Sequence, residues 1–145
     1  MPELADFPIA KKWPAKHPDR LQLYSLPTPN GVKVSIALEE LSLPYEAHLV
    51  SFDTNDQLTP EFRSLNPYGK IPAIIDPHGP GGKPLPLFES GAILLYLAEK
   101  SGRLIPQVRR QGLRGQAAAR PLRGRVEARA RRGERAARDA RLDDG

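Results

Sequence analysis

The chain of 145 residues has no cysteine. It can therefore build neither a disulfide framework nor a thiolate metal site, and any thiol chemistry must use a sulfur that a ligand brings. Long hydrophobic runs are also missing. The longest, Ala92 to Ala98, is far below a membrane span, and the first nineteen residues carry Lys11, Lys12, Trp13 and four prolines without an apolar stretch of the kind a secretion signal needs. The expectation is a soluble, unexported, cytoplasmic protein with no membrane partner. Nor is there length for two ordinary domains, so one compact unit with a real core is expected.

Aromatic residues and lysine are both absent after Pro106. Residues 107–145 hold twelve arginines against five acidic residues, a net of +7, and Arg, Ala and Gly make up 25 of these 39 positions. The remaining 106 residues hold ten basic and twelve acidic side chains, a net of −2. The few larger apolar residues of the tail (Val108, Leu113, Leu122, Val126, Leu142) share no helical stripe, and such a segment buries too little surface to offset its ordering entropy. The tail is expected to be disordered. Its composition is also what a GC-rich gene yields when read out of frame, and that reading is favoured here over a natural basic arm for nucleic acid.

Within residues 20–106 the pattern is regular. Leu21 to Ser25 alternates apolar and polar residues, as a half-buried strand does. Thr28-Pro29-Asn30-Gly31 reads as a turn, and Val32 to Leu43 as a helix with Val34, Ala37, Leu38 and Leu41 on one stripe. Tyr45 to Val50 makes a second strand, Ser51 to Leu58 a polar loop, and Thr59-Pro60-Glu61-Phe62 opens a short helix capped by the threonine. Lys70 to Ile75 and Leu85 to Phe88 are strands too closely spaced for a parallel crossover, so they form a hairpin. Glu89 to Lys100 is the last helix. It is apolar nearly all round, which predicts burial on every side and a partner that the tail cannot supply.

Strand, helix, strand, helix, strand, strand, helix is the thioredoxin-like layout, an α/β fold on a mixed four-stranded sheet. The expected organisation is an N-terminal extension over 1–19, this domain over 20–106, and the tail over 107–145.

Three segments carry the candidate chemistry. Ile71-Pro72 opens a strand; a cis proline there would leave the preceding backbone N–H and C=O free to pair with an extended peptide, although the dipeptide alone is equally an ordinary trans proline. Glu89-Ser90 begins a helix, where Ser90 can hold a carboxylate and Glu89 an amino group, or Ser90 can simply cap the helix. Thr28 and Asn30 can donate hydrogen bonds to a thiolate, or can be plain turn residues. Tyr24, inside the first strand, reads as core. Together the segments describe a site for a short peptide with an amino acid head group and a thiol.

Leu21 to Pro106 closely resembles the N-terminal domain of glutathione transferases. Thr28-Pro29-Asn30-Gly31, Leu38-Glu39-Glu40-Leu41, Lys70-Ile71-Pro72-Ala73-Ile74 and Phe88-Glu89-Ser90-Gly91-Ala92-Ile93-Leu94-Leu95-Tyr96-Leu97-Ala98-Glu99-Lys100 are specifically similar to the bacterial nu class, the glutathione-dependent disulfide-bond oxidoreductases. The resemblance implies glutathione as co-substrate, no metal, and thiol–disulfide exchange or conjugation with a small electrophile or disulfide. It implies Thr28 and Asn30 on the glutathione sulfur, Ile71 before a cis Pro72 on the cysteinyl unit, Glu89 and Ser90 on the γ-glutamyl end, and Lys70 facing the glycyl carboxylate. It also implies a homodimer in the full-length family. The all-helical domain that supplies the second substrate's pocket in that family is not recognisable after Pro106, so a truncated chain is the expectation. The rival reading is a non-catalytic thioredoxin-like interaction module with a nucleic-acid-binding tail, and nucleic acid is not the expected partner.

Overall fold

The computed structural model describes residues 3–105. The readings of 107–145 as a disordered or out-of-frame tail lie outside these residues.

Four strands, β1 (Leu21–Ser25), β2 (Tyr45–Leu49), β3 (Ala73–Asp76) and β4 (Leu85–Phe88), form one mixed sheet in the order β2-β1-β3-β4. β1 and β2 run parallel, joined by helix α1 (Pro29–Glu40), while β3 is antiparallel to both β1 and β4. Helix α2 (Pro60–Arg63) precedes β3, and α3 (Ser90–Ser101) follows β4. The expected thioredoxin-like order is therefore present, hairpin included.

The alternation of β1 sends its side chains into two cores. Leu21 and Leu23 pack with Val34, Ala37, Leu38 and Leu41 of α1, the stripe read from the sequence, and with Ile93 and Leu97 of α3. Tyr24 faces the opposite side, with Val50, Phe62, Leu65, Ala73 and Ile75. This second core is completed by the N-terminal extension, whose 3-10 turns at Leu4–Asp6 and Pro8–Lys11 bury Leu4 and Ile9. Trp13 meets both Tyr24 and Phe62 edge-on and donates from Nε1 to the Leu49 carbonyl at 3.1 Å. Fully burying a side chain such as Phe62 or Ile9 contributes about 1.5–3 kcal/mol.

Two local expectations are corrected. Thr28 to Gly31 is not a free turn: Thr28 is the N-cap of α1 and Pro29 its first residue, and the helix ends at Glu40 with Leu41 as its cap. β3 starts at Ala73 rather than Lys70. α3 packs one face on the sheet through Ile93, Leu97 and Ala98 and leaves Leu95 56% exposed on the face expected to lack a partner. The far end of α3 is tied to β3 by Asp76, whose carboxylate accepts from Tyr96 Oη and from Lys100 Nζ at 2.8 Å. Burial alone would raise the Asp76 pKa, but these two donors and the His78 N–H outweigh it and hold the group below the usual carboxylate range.

Candidate functional site at one end of the sheet

The strand register brings the three candidate segments together. Ala73 pairs with Tyr24 on one side and with Phe88 on the other. Continuing the antiparallel ladders past Ala73 sets Ile71-Pro72 between the end of β1, which leads into Thr28, and Glu89-Ser90. Thr28, Asn30, Lys70, Ile71, Pro72, Glu89 and Ser90 thus share one end of the sheet, and Tyr24 lies in the core behind it, 1% exposed.

Thr28 is held as a cap. Its Oγ1 accepts the Gly31 N–H at 3.1 Å, and its own N–H donates to the Leu26 carbonyl at 2.7 Å. The hydroxyl proton is left to donate outward. Asn30, exposed in the first turn of α1, accepts from Lys33 Nζ through Oδ1 at 2.9 Å, which leaves its two amide protons to donate. Two donors at the N-terminal end of a twelve-residue helix form a local environment that favours an anion.

The Ile71–Pro72 peptide is cis, as the strand-edge reading requires. Ile71 is half-buried and lies outside the paired strands, and among the described residues its backbone N–H and C=O have no backbone partner. The segment is positioned from behind by Asn66, 1% exposed, whose amide donates to the Lys70 carbonyl at 2.8 Å and accepts the Tyr68 N–H at 3.0 Å. Lys70 itself points into an exposed position.

Glu89 is the N-cap of α3 and has φ 75° and ψ 115°, a conformation that costs a non-glycine residue on the order of 1–3 kcal/mol. Ser90 is the first helical residue and not the cap. Among the described residues neither side chain makes a hydrogen bond, so the hydroxyl, the carboxylate and the free N–H groups of the first turn of α3 remain available to a ligand.

Two contributors were not singled out from the sequence. Asn66 orders the Lys70–Ile71 segment; Asn-Pro followed two residues later by Gly is a turn signal that could have flagged it. Gln57 has a buried side-chain oxygen with no partner among the described residues, and its backbone presses on Gly69 beside the site. A glutamine in a polar loop gives no local signal of that kind. Among the described residues there is no cluster of His, Asp or Glu able to hold a metal, and no helix is long and apolar enough to cross a membrane.

The sheet order, the cis proline and the turn into α3 define a thioredoxin-like domain. Residues 19–99 match the family described as glutathione S-transferase, N-terminal domain, and the chain belongs to that family. It is 50% identical over 93 residues to the disulfide-bond oxidoreductase YfcG of Escherichia coli, covering 63% of this chain and 43% of the relative. With the disulfide-bond oxidoreductase YghU of the same organism it shares 52% identity over 99 residues, covering 63% of this chain and 33% of the relative. The chain thus spans less than half the length of these curated relatives. Among solved structures, a glutathione transferase from Burkholderia graminis with two glutathione molecules bound per subunit is 81% identical, with a TM-score of 0.72 over 72% of this chain and 44% of the other. One from Pseudomonas putida with one glutathione disulfide bound per subunit is 75% identical, with a TM-score of 0.73 over 74% of this chain and 46% of the other.

Proposed function

We propose that this chain binds glutathione along the edge formed by Thr28, Asn30, Lys70, Ile71, Pro72, Glu89 and Ser90, and that the activity served is glutathione-dependent thiol–disulfide exchange. Ile71 pairs through its backbone with the cysteinyl unit, Glu89 takes the α-amino group and Ser90 the carboxylate of the γ-glutamyl end, and Lys70 faces the glycyl carboxylate. Thr28 and Asn30 donate to the sulfur and favour its thiolate. The observation that carries the reading is the register: it sets an unpaired backbone at Ile71 between the N-terminus of α1, where Thr28 and Asn30 keep donor protons, and that of α3, where Glu89 and Ser90 are unengaged.

The chemistry balances with glutathione as the only sulfur donor. One glutathione thiolate attacks a disulfide, forms a mixed disulfide and releases one thiolate, which takes up the proton that glutathione lost. A second glutathione thiolate attacks the mixed disulfide, yielding glutathione disulfide and the second thiol. Two glutathiones are oxidised and one substrate disulfide is reduced. The relatives described as disulfide-bond oxidoreductases, and neighbours holding two glutathiones or one glutathione disulfide, support this reaction over conjugation to a small electrophile. A cytoplasmic location, where glutathione is kept reduced, and a homodimer in the full-length family accompany the proposal.

The test is glutathione-dependent reduction of a small soluble disulfide by the purified chain, followed as formation of glutathione disulfide. Turnover above the uncatalysed exchange that falls in a Thr28→Ala/Asn30→Ala variant is expected. A rate equal to the uncatalysed one would contradict the assignment of turnover to this chain.

A further inference from the structure

The loop between β2 and α2 is closed by a single residue. Asp56 accepts the Ser51 N–H on Oδ2 at 2.9 Å, while its own N–H donates to the Ser51 carbonyl at 2.9 Å and its carbonyl accepts from Thr59 Oγ1 at 2.7 Å. Both ends of the loop are thereby gathered on one residue. Its other carboxylate oxygen, Oδ1, faces Lys12 Nζ at 3.2 Å. Lys12 is placed by its neighbour, lying 5.3 Å from the ring centroid of Trp13, which in turn is hydrogen-bonded to Leu49 just before the loop.

The loop backs directly onto the candidate site. Gly69 has φ 63°, and a Cβ there would fall 2.9 Å from the Gln57 carbonyl oxygen and 3.2 Å from Leu58 Cδ2. Backbone therefore packs on backbone, one residue from Lys70 and two from Ile71. A shift of the loop at Gln57 moves Gly69 and, through it, the segment that meets the ligand.

We propose that Lys12, acting through Asp56, is a positioning residue for the glutathione edge, and that the N-terminal extension works as a strut behind Lys70–Ile71. This rests on the glutathione reading above. The Ser51 N–H and the Lys12 ammonium hold the Asp56 carboxylate below the usual range, so it stays ionised throughout the neutral region. A single ion pair at the surface adds little to global stability, the Lys12 side chain being 35% and that of Asp56 14% accessible. Its loss is felt locally, at the carboxylate that accepts the Ser51 N–H and so sets how the loop sits against Gly69.

The test is a glutathione titration of the full chain, its Lys12→Met, Lys12→Arg and Asp56→Asn variants, and the Lys12→Met/Asp56→Asn double variant, with thermal midpoints measured alongside. Asp56→Asn keeps an acceptor for Ser51 and removes the charge. Lys12→Met and Asp56→Asn are expected to bind glutathione about three- to tenfold more weakly, with the double variant no weaker than either single one. Lys12→Arg should stay close to the parent, and the midpoints should hardly move. Parent-like affinity in Lys12→Met, additive losses in the double variant, or midpoints that fall in step with affinity would each overturn the positioning role. If the parent chain binds glutathione and the variants bind it equally well, this inference alone fails; if the parent binds none, the glutathione reading fails and takes this one with it.

Discussion

Gly31, in the first turn of α1, approaches the end of β1 so closely that a Cβ on it would lie 2.0 Å from the carbonyl oxygen of Leu26. Only a hydrogen fits in that gap. The contact sets where α1 begins relative to the sheet, and with it the positions of Thr28, which caps the Gly31 N–H, and of Asn30. Gly31→Ala is expected to cost about 2–3 kcal/mol, because both partners are backbone and neither can move aside. Chemical denaturation of the variant checks this, and unchanged stability would mean that the strand and helix separate more easily than the geometry implies.

A second prediction concerns pH. His48 lies on the buried side of β2, stacked on Tyr24 with ring centroids 4.8 Å apart, and its Nε2 sits 2.7 Å from Gln22 Oε1. Because Gln22 Nε2 donates to the His17 and Arg20 carbonyls, its oxygen accepts and His48 is the neutral tautomer protonated on Nε2. Burial lowers the His48 pKa, and the nearby Glu46 offsets this only in part. The folded state therefore binds fewer protons than the unfolded one, so stability falls as pH drops below the ordinary histidine value of about 6.5 and through the lower folded value. His48→Gln, which keeps an amide donor and cannot charge, should flatten that slope between neutral and mildly acidic pH. Parallel stability curves for parent and variant would contradict it.

The outer surfaces of α1 and α3 give a third. Val32, Ile36 and Leu95 are 37%, 59% and 56% exposed, on faces turned away from the shared core. Apolar surface of this kind promotes association. The chain is expected to bind a hydrophobic dye and to sediment with concentration-dependent mass, both effects weakening in Ile36→Lys/Leu95→Lys, with stability changed by no more than about 0.5 kcal/mol. A dye-silent monomer at high concentration would count against the prediction.

Much of this fold was legible because its elements carry separable periods. The alternation of Leu21 to Ser25 marked β1 to the residue, and the stripe Val34, Ala37, Leu38, Leu41 marked the buried side of α1. The start of α1 is not legible locally, because Pro29, Asn30 and Gly31 are turn formers when taken alone, whereas behind a threonine cap they make the first helical turn. β3 begins three residues later than its sequence pattern suggests, since the preceding segment is held by Asn66 at the Lys70 carbonyl and not by a ladder. The docking of the extension had no periodic signal either: Leu4, Ile9 and Trp13 are single apolar residues among prolines, and only the second core shows what they cover. For the candidate site, residue types were readable but their meeting was not. That depends on the register of β3 against β1 and β4, which no one segment encodes.

In the proposed function this edge binds glutathione with separate groups for peptide and sulfur. The direct measurement is calorimetric titration of glutathione into the parent chain and its Ser90→Ala, Thr28→Ala and Asn30→Ala variants. Ser90→Ala is expected to weaken binding by about 1.5–3 kcal/mol, as loss of a charge-assisted hydrogen bond to a partly buried carboxylate does. Thr28→Ala and Asn30→Ala should retain most of the affinity, since their donors act on the ionised sulfur. No binding by the parent chain, or equal losses in all three variants, would contradict it.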